Sequence, residues 1–129
     1  MAKFTLQSTP EIYGKIKFYY LEVDGINQYR EFELQIEQEG TYVSELRTIQ
    51  TRMIEVANLQ RLPKTKFRLI SNDKDLVKKY EIKTNNLRVY LFHEELKGHI
   101  VVCGGKKNSQ PKDIRKFNSL VKQYLNAKT

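Results

Sequence analysis

The feature that most constrains this chain is a run of short apolar segments in its second half. Residues 67–70, 80–83, 87–93 and 100–103 are rich in β-branched and aromatic side chains, and each is too short to be a helix on its own. Ser71-Asn72-Asp73, Asn85-Asn86 and Lys97-Gly98 interrupt them with turn-forming residues. Strands joined so tightly pair antiparallel with their neighbours, because a parallel partner needs a long crossover. A meander is therefore expected. Beyond Gly104-Gly105 the period changes: with a cap at Ser109 or Gln110 and Pro111 just inside, Ile114, Phe117, Leu120, Val121, Tyr124 and Leu125 line one face of an amphipathic helix.

The first half reads in the same way. Residues 15–23 are rich in β-formers, Asp24-Gly25 supplies a turn, and from Tyr29 to Gln38 the apolar Phe32, Leu34 and Ile36 alternate with Glu33, Gln35 and Glu37. This pattern predicts a hairpin with one solvated face, stopped by Gly40. Thr41 or Ser44 then caps a helix with Tyr42, Leu46, Ile49, Met53 and Val56 on one face, ending near Leu62-Pro63. The tyrosines Tyr13, Tyr19, Tyr20 and Tyr29 suit either a core or a contact surface. The expected fold class is α+β, an antiparallel sheet with helices packed on it. With no linker, repeat or low-complexity stretch, residues 1–129 form one domain: an N-terminal hairpin over 1–38 and a core over 41–129.

Charge is divided unevenly. Residues 1–60 hold six Lys/Arg against nine Asp/Glu, a net −3, whereas residues 61–129 hold seventeen against six, a net +11. A mildly acidic front joined to a strongly basic back is the footprint of a domain that meets a polyanion, although lysines that merely keep a surface soluble give the same count. Cys103 is the only cysteine, which rules out an internal disulfide and a cysteine-built metal site and suits a reducing compartment. No apolar run reaches the length of a membrane span or a signal peptide, so a cytoplasmic location without membrane contact is expected.

Basic residues recur on the meander. If three consecutive strands pair, Lys83, Arg88 and Lys106 or Lys107 converge near one sheet edge, with Lys78, Lys79 and Lys112 as further backbone contacts; a register slip of one residue reverses which of them share a face. Arg88 is the best phosphate clamp, because its planar fork matches phosphate oxygens. Its plainer alternative is a cross-strand pair with Glu81. Tyr90, His93 and Tyr124 are candidate proton carriers or stacking platforms, with Tyr124 equally placed for the core. His93 and His99 flank a turn without a recognised ligand spacing, so no metal and no cofactor is expected. Gly104-Gly105 matches neither a P-loop nor a dinucleotide fingerprint, and Cys103 reads as a small buried hydrophobe.

Tyr80-Glu81-Ile82-Lys83, Arg88-Val89-Tyr90, residues 100–107 and Ser109-Gln110-Pro111-Lys112-Asp113-Ile114 together resemble the RelE/HigB superfamily of toxin-antitoxin ribonucleases, in its HigB-like, phage-derived branch. That branch shows a Tyr-Glu-Leu-Arg-like strand, an Arg-Val-x-Tyr-like strand, an apolar strand ending in Phe-x-Lys-Lys, a Pro-containing turn and a helix. The resemblance covers about residues 42–126. Gly104-Gly105 departs from it, in place of the aromatic approach to the paired lysines, as does the extra strand-like sequence at residues 1–30. The resemblance implies a RelE-like fold with an extra N-terminal hairpin, metal-independent cleavage of mRNA, usually in the ribosomal A site, and control by a cognate antitoxin protein. Arg88, Lys106, Lys107, Tyr90 and His93 are then the catalytic candidates, and Lys78, Lys79, Lys83, Lys112 and Tyr124 the RNA-binding ones. A lysine beside other cations would supply the proton for the leaving 5′-oxygen. The alternative is a non-catalytic nucleic-acid-binding or interaction module on the same fold.

Overall fold

Asp24 and Gly25 both adopt positive φ, 52° and 82°, the backbone that a two-residue hairpin turn requires. They join β2 (Phe18–Val23) to β3 (Ile26–Asn27), so the predicted turn is present. The predicted second strand is not. Its residues form helix α1 (Gln28–Glu39) in the computed structural model, which describes residues 2–127. The Asn27 side chain accepts the Arg30 N–H at 3.0 Å as N-cap, and Gly40, at φ 80°, closes the helix by donating its N–H to Ile36 O. Phe32 and Ile36 fit a period of two as well as a helical one. Tyr29 breaks the tie: Tyr29, Phe32 and Ile36 are buried at helical spacing, and Leu34 lies exposed.

Helix α2 (Val43–Ala57) follows, shorter than expected at its C-terminal end, with Ile49, Met53, Val56 and Ala57 buried. The four expected strands are all present as β4 (Phe67–Leu69), β5 (Lys78–Lys83), β6 (Leu87–Glu94) and β7 (Gly98–Lys106). A 3-10 turn at Lys107–Ser109 leads into helix α3 (Gln110–Ala127). A strand that the pattern reading missed, β1 (Phe4–Ser8), pairs antiparallel with β2.

The sheet is mixed rather than antiparallel throughout. Its order is β1-β2-β7-β6-β5-β4, and β2 runs parallel to β7, with Tyr19 opposite Ile100. The N-terminal strands thus extend the common sheet. Helices cover both faces. On one face α1 and α2 pack over Ile82, Leu87, Val89, Leu91 and Val101; on the other α3 sets Phe117, Val121 and Tyr124 against Leu21, Tyr90, Phe92 and Ile100.

A bulge decides which side chains of β7 face which helix. Tyr90 pairs with Cys103 but Leu91 pairs with Val101, so Val102 is the extra residue and both Val102 and Cys103 join the α3 side. Alternation then resumes. A Cβ on Gly104 would stand 2.6 Å from the Phe32 ring of α1, and one on Gly105 would collide with the Asp113 carboxylate of α3. The glycine pair is thus explained by close packing, each glycine admitting a helix layer to one face of the strand. Cys103 is buried, and burial pushes its thiol up to about 12.

Candidate functional site

Where the ends of β5, β6 and β7 meet the start of α3, the sheet presents a polar corner on its α3 face. Lys83 stands opposite Arg88 on the neighbouring strand, and Arg88 stands opposite Gly105. Two residues inward on the same face, Glu81 stands opposite Tyr90. The predicted convergence therefore holds for Lys83 and Arg88.

Arg88 is only 6% exposed. Its Nη1 donates to Thr84 O at 2.6 Å and to Leu87 O at 2.8 Å, which fixes the guanidinium plane, and its buried Nε has no hydrogen-bond partner. A buried unpaired donor costs about 1–3 kcal/mol, and Nε finds no acceptor among the described residues. The Tyr90 hydroxyl is a second orphan, fully buried and without a partner. Burial, then the Glu81 and Asp113 carboxylates, push it well above the usual phenol range, so it stays protonated.

The surrounding groups are held firmly. Glu81, with no exposed surface, accepts from Arg68 Nη2 at 3.0 Å and from Gln110 Nε2. Ser109 Oγ donates to the Asp113 carboxylate at 2.5 Å and lies 3.0 Å from Lys106 O. The β5–β6 turn is clamped from α2: Glu45 accepts from the Thr84 hydroxyl and from the Asn86 backbone and side-chain N–H groups at 2.9 and 2.8 Å. The Lys107 N–H donates to Asn86 O at 2.8 Å, which ties the 3-10 turn to the same clamp. Lys83 and Arg88 thus stand near the Arg68–Glu81 pair at the N-terminal end of an 18-residue helix, whose first N–H groups favour an anion. Exposed Lys107 and Lys112 flank the corner.

Other candidates lie elsewhere. Lys106 points to the opposite face of the sheet, where its ammonium pairs with Glu39 at 2.5 Å. The bulge and the resumed alternation place it there. Tyr90 belongs to the α3-side core, its ring tilted against Phe117 at 5.7 Å between centroids. His93 is on the α1–α2 face, its Nδ1 3.0 Å from that of His99, and the buried His99 ring is lowered to about 4 by burial and then by His93. Lys78 and Lys79 sit at the far end of β5, about 17 Å of strand from Lys83. Lys78 is exposed there, and Lys79 bridges Asp75 at 2.9 Å and Asn118 at 3.0 Å. Tyr124 is buried and donates to Glu94 at 2.7 Å, about 21 Å along α3 from Gln110, so it offers no stacking platform.

The Arg88–Glu81 pair is not formed, because the register sets Arg88 against Lys83 and gives Glu81 to Arg68. The supporting residues Glu45 and Arg68 carried no signal in the sequence, since each reaches the corner from another element, whereas Gln110 and Asp113 lie within the motif segment 109–114 but with no role at the site assigned to them. No cluster of three metal-ligating side chains occurs among the described residues. No family model, no curated protein and no solved structure matches the chain.

Proposed function

We propose that the chain binds RNA at this corner, as a RelE/HigB-like toxin domain would hold the phosphate it attacks. The observation that carries the reading is Arg88: its guanidinium is oriented by two backbone carbonyls beside Lys83, with Nε left unpaired. Arg88 is buried, so it supplies a fixed positive charge beneath the surface, and the half-buried Lys83 beside it is placed to meet a phosphate oxygen. Lys107 and Lys112 extend the cationic track along the surface toward α3. The basic balance of residues 61–129 and the motif resemblance between Tyr80 and Ile114 support the same class of ligand. A cognate antitoxin and a ribosomal mRNA substrate are part of this proposal, as is a cytoplasmic site of action.

Cleavage would need a base for the 2′-hydroxyl and an acid for the leaving oxygen. Exposed Lys107 is the accessible proton donor beside the corner, since the Tyr90 hydroxyl is fully buried in the α3-side core. A second reading, binding without cleavage, is favoured by the carboxylates: Glu81 is committed to Arg68 and Gln110, and Asp113 to Ser109. One experiment separates the two. Labelled single-stranded RNA is titrated with the wild type, Lys83→Gln and Arg88→Lys over a salt series, and the RNA is then run on a gel. The proposal expects each substitution to weaken binding roughly tenfold, with Lys83→Gln also reducing the salt slope by about one phosphate contact. Discrete cuts that Lys107→Gln abolishes support the toxin reading, and intact RNA supports binding alone. Equal affinities for the three proteins would overturn both.

A further inference from the structure

A second surface is built for a different occupant. Helix α3 and the loop that precedes β5 enclose a groove of about 340 Å³, floored by Val77, Val121 and Leu125, with Leu76 on its wall. Leu76 is 89% exposed, so a large apolar side chain stands in solvent beside an apolar floor. Through Asp75, Lys79 and Asn118 the groove continues into a second one of about 380 Å³, which runs beneath β4 past Leu69, itself 51% exposed. β4 is the outermost strand of the sheet on that side, and no strand pairs with its outer edge among the described residues.

The rim of this groove is positive. Lys74 and Lys122 stand on either side with no carboxylate partner among the described residues, and Lys79, at the junction, is paired with Asp75. We infer that the groove docks an acidic amphipathic segment of a partner protein, whose apolar residues lie on Leu76, Val77, Val121 and Leu125 and whose carboxylates meet Lys74 and Lys122. Charge complementarity selects the occupant. A second copy of this chain would bring the same positive rim against itself, which like-charge repulsion opposes. A nucleic acid would turn charged phosphates, not apolar groups, toward exposed Leu76 and the aliphatic floor, and so would leave that apolar surface unmatched. The inference goes beyond the RNA reading and does not depend on it, because Lys83 and Arg88 do not line the groove.

The test uses the full chain and a labelled synthetic peptide with leucines three and four residues apart and glutamates on the flanking positions. A twin peptide carries lysine for every glutamate. The acidic peptide is expected to bind with an affinity that falls as salt rises, and Leu76→Asp and Lys122→Glu each weaken it roughly tenfold or more. Both positions are exposed, so circular dichroism of the variants is expected to match the wild type. Lys83→Gln, which impairs the proposed RNA corner, leaves peptide affinity unchanged. Equal binding of the lysine twin, or no effect of Leu76→Asp, would overturn the inference. So would a concentration-dependent dimer that Leu76→Asp abolishes, which assigns the groove to a second copy. Loss of RNA affinity in Leu76→Asp would assign it to nucleic acid instead.

Discussion

At the scale of single residues, Gly105 and His99 make the most specific demands. Gly105 admits the Asp113 carboxylate to β7, so Gly105→Ala forces a methyl group into an occupied position. Overpacking of this kind costs about 1–3 kcal/mol, and urea denaturation should show it. Asp113→Ala in the same chain should recover part of the loss, because the colliding atom is gone; additive losses would contradict the packing account. His99 is held neutral by burial against Phe18, Tyr80 and His93, at about 4 against an ordinary value near 6.5. Its folded-state value is depressed, so the unfolded chain binds the proton more readily between those limits. Stability is full above about pH 6.5 and falls as the pH drops toward 4, by on the order of 3 kcal/mol from this group. Urea melts at pH 7 and pH 5 should show about 2 kcal/mol of that loss in the wild type and a smaller one in His99→Gln. Arg88, by contrast, stands out in the sequence as a candidate phosphate ligand from its chemistry alone, while the carbonyls of the β5–β6 turn that orient its guanidinium are revealed by no motif.

At the scale of elements, legibility followed local period. The strands of the meander and helices α2 and α3 were visible because several apolar positions repeat one spacing with punctuation on both sides. Helix α1 was misread because Phe32, Leu34 and Ile36 alternate along a segment whose helical evidence lies at its ends, in Asn27 and Gly40. If the cap decides the state of this segment, Asn27→Ala should lower stability by about 1 kcal/mol and reduce helical circular dichroism. An unchanged spectrum and stability would mean that burial of Tyr29, Phe32 and Ile36 suffices without the cap. The parallel pairing of β2 with β7 could not be read from short connections, since the partners are separated by most of the chain. The bulge was equally hidden, and with it the separation of Lys106 from Arg88 on opposite faces.

At the scale of the molecule, one sheet between two helical layers carries distinct surfaces. The α3 face holds the Lys83–Arg88 corner at one end and the Leu76 groove toward the other, while Lys106 and the His93–His99 pair serve the α1–α2 face. The predicted basic ensemble therefore resolves into a compact corner with exposed lysines around it, rather than one track over the whole back half. Where the RNA lies is the central claim, and photo-crosslinking of 4-thiouridine-labelled single-stranded RNA to the full chain, followed by peptide mapping, tests it most directly. The account predicts adducts on the β5–β6 turn, on Lys107–Ser109 and on the first turn of α3, all lost in Lys83→Gln with Arg88→Lys. Adducts concentrated on α1 and α2, and undiminished in that double variant, would contradict it.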